Sequence, residues 1–295
     1  MIKNIKILNN LNQRLDKYLK NKYTSLTQGF IEKNIRKKNI LINNSKTTSN
    51  YIVKKHDELK ILNFHQDLYK NKIIFKKIIK IPQETKKIFD QSILYQDKNF
   101  IIINKWSSIS TQGGSKIKLS LDDIIKQISS NYKLVHRLDK ETSGLLIIAK
   151  NREYAQLFTS LFRIRKIHKT YLAITYGKVN NSIKTMKDNL IYYENKKKII
   201  QKAISNLKIL KSNEYCSFLE LNPITGRKHQ LRKQLLNIGN PIIGDDKYFL
   251  NNTKRIKTKC LMLHAYKIKF MIKNVRYNFK AKYNDIFEQF LKNNI

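Results

Sequence analysis

The chain has 295 residues, 41% of them hydrophobic, enough for a buried core in one large domain or two smaller ones. It carries 60 Lys and Arg against 21 Asp and Glu, a net charge of +39, which points to a polyanionic partner because cations that neutralise phosphates release condensed counterions. No run reaches the roughly 18 apolar residues of a membrane span, MIKNIKILNNLNQRL lacks the core and cleavage site of a secretory signal, and Cys216 and Cys260 are too few for a disulfide framework, so a cytoplasmic protein is expected.

Residues 1–70 read as a small module. Leu15, Tyr18 and Leu19 have helical spacing. A second helix begins near Thr27, carries Phe30, Ile31 and Ile35, and ends in the basic run Arg36-Lys37-Lys38. Ile40-Leu41-Ile42 is a strand entering a turn at Asn43-Asn44, and Tyr51-Ile52-Val53 and Leu59-Lys60-Ile61 suggest two more strands. Over residues 1–60 basic residues outnumber acidic ones 14 to 4, so the helix pair offers a phosphate-facing surface. Arg14-Leu15-Asp16-x-x-Leu19, the helix ending at Lys38 and Ile40-Leu41-Ile42-Asn43 together resemble the S-four RNA-binding module. The resemblance implies RNA contacts from Arg14, Arg36, Lys37 and Lys38. Asn44 stands where that module has glycine, and asparagine also accepts a left-handed turn.

Residues 71–92 are charged and lack a period apart from Ile73, Ile74, Phe75, Ile78, Ile79 and Ile81, and they read as a linker. Residues 93–295 form the second expected domain. It opens with two strands joined by a polar turn, Ile93–Lys105. Ser120 is placed to cap a helix with Asp122 and Asp123 in its first turn. Further strands are expected at Leu145–Ala149, Tyr171–Tyr176, Ala203–Leu210, Cys216–Leu221 and Met262–Phe270, with helices at Arg152–Arg163, Arg227–Leu236 and Asn284–Lys292. No βαβ alternation is kept up, so the class is α+β.

The densest signal is His136-Arg137-Leu138-Asp139-Lys140-Glu141-Thr142-Ser143-Gly144, followed by the apolar run Leu145–Ala149. Gly144 permits a tight bend or a close backbone approach. A charged loop feeding a strand holds polar side chains at a sheet's rim, within reach of a substrate. Asp139 lies between Arg137 and Lys140, and a nearby cation keeps a carboxylate ionised at neutral pH. Standing alone, an Arg-x-Asp loop is more often a structural ion pair.

The full string resembles the signature His-Arg-Leu-Asp-x-x-Thr-Ser-Gly of the RluA-type pseudouridine synthases, and the resemblance implies that Asp139 is catalytic. Lys169-Thr170-Tyr171-Leu172-Ala173 matches a second family motif, implying that Tyr171 stacks on the target base; an extruded uracil does need an aromatic face. Thr225-Gly226-Arg227-Lys228-His229-Gln230-Leu231-Arg232 matches a third, implying an Asp139–Arg232 ion pair that aims the carboxylate and holds it deprotonated. Ile238–Tyr248 follows the family pattern and is read as loop packing without a direct catalytic part. His264, in the closing strand, is read as structural. Ser107–Gly114 leans toward the RluC/RluD branch, while Trp106 replaces the family's proline and leaves that loop's shape open. The implied catalytic domain is a mixed, mainly antiparallel sheet flanked by helices and loops.

The implied reaction breaks the N1–C1′ bond of a flipped-out uridine, turns the uracil and joins C5 to C1′. No redox cofactor, nucleotide or metal is expected, and the chain has no phosphate-binding glycine loop and no zinc spacing. Arg137 would sit beside the extruded nucleotide. Asp139 suits either covalent attack at C1′ or assistance to a glycal-like path; Glu141 is expected to face solvent, so no second acid of glycosidase type is in view. The expected partner is structured RNA, above all large-subunit ribosomal RNA, bound by a monomer without a membrane. The alternatives are the same chemistry on transfer RNA and a non-catalytic ribosome-assembly factor. Codon preference for Lys, Asn and Ile supplies part of the charge.

Overall fold

The computed structural model describes residues 1–295 except 10–11, 72–80, 115–116, 195–196, 252–255 and 257. It divides into two compact units, Met1–Ile78 and Ile79–Ile295.

The first unit runs β1 (Lys3–Lys6), β2 (Gln13–Arg14), α1 (Leu15–Lys22), α2 (Gln28–Arg36), β3 (Ile40–Ile42), β4 (Ser45–Lys46), β5 (Ile52–Val53) and β6 (Glu58–Ile61). Its main sheet has the order β1-β6-β3-β4, and β2 pairs with β5. Leu15 and Leu19 on α1, and Ile31 and Ile35 on α2, are four residues apart and so share a helix face. They are buried with Ile40, Ile42, Leu59 and Ile61 of the sheet. The Thr27 hydroxyl accepts the Phe30 N–H and starts α2. Asn43 and Asn44 both turn left-handed, with φ of 51° and 58°, and close the β3–β4 hairpin.

The second unit runs α3 (Gln83–Gln91), β7 (Ile93–Gln96), β8 (Phe100–Lys105), α4 (Leu121–Ile128), β9 (Lys133–Leu134), β10 (Ser143–Ala149), α5 (Arg152–Arg163), β11 (His168–Tyr176), β12 (Thr185–Glu194), β13 (Lys197–Ser212), β14 (Cys216–Pro223), α6 (Gln230–Asn237), β15 (Leu263–Ile272), β16 (Val275–Lys280) and α7 (Asp285–Asn294). Its sheet has the order β12-β13-β14-β11-β15-β10-β8-β7, with β16 on β15 and β9 on β10. β10 and β15 run parallel, pairing Ser143 with His264 and Gly144 with Ala265; β10 is antiparallel to β8 and β11 is antiparallel to β14. This is the expected α+β class. Every residue of β10 is buried. Leu145 and Ile147 pack into one core, and Leu146 and Ile148 into another, which explains an apolar run without alternation.

The second unit starts earlier than composition suggests. Helix α3 lies inside the stretch read as a linker, because Phe89, only 2% exposed, packs with Ile81, Ile101 and Ile103. Ile73, Ile74, Phe75, Ile78 and Ile79 lie outside the described residues. Strands β1, β12 and β16 were also not anticipated. Ser120 caps α4 as expected, in a reciprocal pair with Asp123. Among the described residues no helix is long and apolar enough to cross a membrane.

Candidate active site

Asp139 sits in the loop between β9 and β10, and three side chains tie that loop down. His136 Nε2 accepts the Ile147 N–H at 2.9 Å. Burial pulls the imidazole pKa down to about 3, so it is neutral and carries its proton on Nδ1. The Thr111 hydroxyl donates to the Leu138 carbonyl at 2.6 Å and accepts the Leu138 N–H at 3.1 Å. Lys105 has no exposed surface. Its Nζ donates to the carbonyls of Trp106, Ile109 and Lys140 at 3.0, 3.1 and 3.2 Å, using all three of its donors, while burial pulls its pKa down to about 7. The residues on both sides of Asp139 are therefore anchored. Trp106, in place of proline, packs its ring against the core beside α4.

Gly144 ends the loop at φ +112°, and a Cβ there would lie 2.4 Å from the Ala265 carbonyl oxygen. The parallel β10–β15 pairing leaves room for no other residue. His264 beneath it accepts the Ser143 hydroxyl at Nδ1 and donates from Nε2 to the Ala281 carbonyl, in keeping with a structural role.

A cavity of about 370 Å³ opens here, and Asp139, Tyr171 and Arg232 all line it, with Arg137 and His229. Tyr171 comes from β11, just after a bulge between Thr170 and Tyr171, a device that re-aims a side chain. Its hydroxyl is held well above the usual tyrosine range by burial and by the Asp139 charge, so the ring is neutral. Arg137 is exposed at the rim. Helix α6 starts at Gln230, three residues later than expected, because the Gln230 side-chain carbonyl accepts the Thr225 hydroxyl and the Arg227 N–H and holds that stretch as a turn. His229 then enters the helix at a left-handed φ of 53°.

The Asp139–Arg232 pair is present but loose, with Arg232 Nη1 at 3.7 Å from Asp139 Oδ2. The tight partner of Arg232 is Asp245, which accepts from Nε at 2.6 Å and from Nη2 at 2.7 Å. Asp245 lies in the Ile238–Tyr248 stretch read as loop packing without a direct catalytic part, and the structure adds to that packing a bidentate hold on Arg232. Glu141, expected in solvent, is half-exposed and 3.5 Å from Arg232 Nη1. His229 Nε2 is 3.6 Å from Asp139 Oδ1, and its Nδ1 bonds the Tyr248 hydroxyl at 3.0 Å. Burial and the cations of Arg232, Lys247 and Lys228 pull the His229 pKa down to about 4, so it faces Asp139 as a neutral ring.

Asp139 feels burial as well as the cations around it. Burial raises its pKa above the usual carboxylate value and outweighs Arg232, Arg137 and Lys105, which act the other way.

In the first unit, Arg36, Lys37 and Lys38 are exposed at the end of α2. Arg14 is partly committed: its Nε and Nη2 donate to Asp16 at 3.1 and 2.8 Å, since Asp16 is buried and requires a partner. Among the described residues no three His, Cys, Asp or Glu side chains are grouped to hold a metal ion.

The family model described as RNA pseudouridylate synthase matches residues 99–237. Fold, cavity and match define an RNA-modifying isomerase. A Rickettsia felis protein named ribosomal large subunit pseudouridine synthase C is 41% identical, over 86% of this chain and 87% of its own length. A protein of the same name from Buchnera aphidicola is 32% identical, over 97% and 95%. The solved structure of human RNA pseudouridylate synthase domain containing 4 superposes with a TM-score of 0.60 at 26% identity, over 71% of this chain and 95% of that one. The chain belongs to the RNA pseudouridylate synthase family, in its RluA branch, and is an enzyme that isomerises uridine in RNA to pseudouridine.

Proposed function

We propose that the chain modifies uridines of large-subunit ribosomal RNA in the cytoplasm, with Asp139 as the catalytic carboxylate. The observation that carries this is the convergence of Asp139, Tyr171 and Arg232 on one open cavity. A uridine flipped out at a cost of a few kcal/mol enters that cavity, and its uracil rests on Tyr171. Asp139 acts at C1′ as the N1–C1′ bond breaks, with Arg232 beside it. The base turns, C5 bonds to C1′, and the C5 proton is lost while N1 gains one. Arg137 at the rim meets the RNA beside the extruded nucleotide.

A basic trough supports RNA as the substrate. It encloses about 930 Å³ and shares Lys169, Gly226 and Arg227 with the cavity. Arg163, Arg165, His168, Lys267 and Lys269 line it against a single acid, Glu220. Phosphates flanking the extruded uridine would lie there. Residues 1–70 act as a second RNA-binding module, through Arg36, Lys37 and Lys38 and through what Arg14 leaves free. The names of the Rickettsia and Buchnera relatives favour the large ribosomal subunit as the source of the RNA.

The test is incubation with large-subunit ribosomal RNA and with transfer RNA transcripts, followed by chemical mapping of pseudouridine. New sites in the ribosomal RNA, absent with Asp139→Asn, are expected. Sites in transfer RNA alone would overturn the substrate, and an active Asp139→Asn protein would overturn the catalytic assignment.

A further inference from the structure

We infer that Asp245 is a positioning residue that sets the two groups facing the Asp139 carboxylate. The inference rests on the reading of Asp139 as catalytic.

Asp245 is buried, with no exposed side-chain surface. Its two oxygens take Nε and Nη2 of Arg232 in a bidentate pair, which fixes the plane of the guanidinium. Only Nη1 is left to face Asp139 and Glu141. Asp245 Oδ1 also accepts the N–H groups of Lys247 and Tyr248, both at 2.9 Å. Those bonds hold the turn that presents Tyr248. The Tyr248 ring lies over the Arg232 guanidinium at 5.1 Å, and its hydroxyl bonds His229 Nδ1, turning Nε2 toward Asp139. One carboxylate thus orients both an arginine and a histidine without itself lining the cavity. Groups 3.6 and 3.7 Å from Asp139 are close enough to guide it and loose enough to let it move toward substrate.

The experiment compares wild type, Asp245→Asn, Tyr248→Phe and Asp139→Asn in single-turnover pseudouridine formation on ribosomal RNA. RNA affinity and the pH profile are measured in parallel. Wild-type activity with an inert Asp139→Asn protein secures the underlying reading; its failure would be seen there, before any Asp245 result. On that background Asp245→Asn is expected to slow the saturated rate roughly 30-fold, the scale of a small misplacement of reacting groups, with RNA affinity within about twofold of wild type. The acid limb of its pH profile is expected to move to lower pH. With Asp245 neutral, the full Arg232 charge acts on Asp139, alongside Arg137 and Lys105, while His229 stays neutral and Glu141 still opposes. A merely structural Asp245 would leave that limb in place. An unchanged saturated rate, or an unmoved acid limb, overturns the inference. If Asp245→Asn does not fold, Tyr248→Phe decides: a rate lowered about threefold or more at unchanged RNA affinity supports it, and a wild-type rate overturns it.

Discussion

Thr111 and Leu138 exchange two hydrogen bonds through one hydroxyl: Thr111 Oγ1 donates to the Leu138 carbonyl and accepts the Leu138 N–H. Both residues are buried, at 2% and 4% exposure, so no water can replace the hydroxyl. Thr111→Val would leave both backbone groups unpaired, and each unsatisfied buried group costs about 1–3 kcal/mol. Denaturant unfolding should show a loss of at least about 1 kcal/mol, with slower pseudouridine formation in protein that is still folded. Thr111→Ser should keep most of both. Equal behaviour of the Val and Ser variants would mean that the hydroxyl does not hold the loop.

The ionisation of Asp139 gives a prediction whose sign is fixed. Its folded pKa is raised above the ordinary 3.8 because burial outweighs its cationic neighbours. The folded protein therefore holds that proton more tightly than the unfolded chain. The stability this group contributes is fully present below its unfolded pKa and is lost as pH rises through the folded value. At pH 7.5 Asp139→Asn should melt at or above the wild-type temperature. As the wild type is acidified, its rate should fall at a pH above 3.8. A variant melting several degrees lower, or an acid limb below 3.8, would contradict this.

The trough makes an electrostatic prediction. Arg165 and Lys269 are exposed, and Lys267 is crowded: partial burial and the neighbouring Lys269 and Lys280 hold its ammonium below the usual lysine range. An RNA phosphate would relieve that crowding. Each phosphate contact to a single strand contributes about 0.7 to the slope of log affinity against log salt. The triple change Arg165→Gln, Lys267→Gln, Lys269→Gln should weaken binding and flatten that slope by roughly 2, read by fluorescence anisotropy across a salt series. Lys86→Gln, Lys87→Gln, Lys98→Gln removes the same charge outside the trough and serves as the control. Indistinguishable slopes for the two triples would rule out this path for the strand.

Local signals carried much of the fold. Ser120 and Thr27 announced their helices through caps, Ile40–Ile42 and Leu145–Ala149 announced strands through apolar runs, and α5 spans Arg152–Arg163 as its spacing predicts. β16 alternates Val275, Tyr277 and Phe279 with Arg276, Asn278 and Lys280, a strand period that was legible in the sequence and went unread. Three motifs pointed to Asp139, Tyr171 and Arg232, and the fold brings those residues to one cavity. Lys105, His229 and Asp245 were not singled out. Lys105 acts on a loop 35 residues away, and Asp245 meets Arg232 only because the chain folds back after α6. The opposing effect of burial on Asp139 was not legible for a related reason. Sequence displays the cations beside a carboxylate but not the water that folding removes from it.

Two hairpin tips reverse without glycine. Asn43–Asn44 and Lys273–Asn274 take φ values of 51°, 58°, 49° and 64°, a geometry that glycine enters freely, asparagine at a small steric cost and lysine at a larger one. Heat tolerance therefore lies unclaimed at the loop tips, away from the chemistry. Asn44→Gly and Asn274→Gly should each raise the melting temperature by about 1–3 °C, the yield of a few tenths to 1 kcal/mol in a chain of this size, with catalytic turnover untouched. A thermal melt and one activity assay would establish whether endurance can be engineered here independently of the reaction.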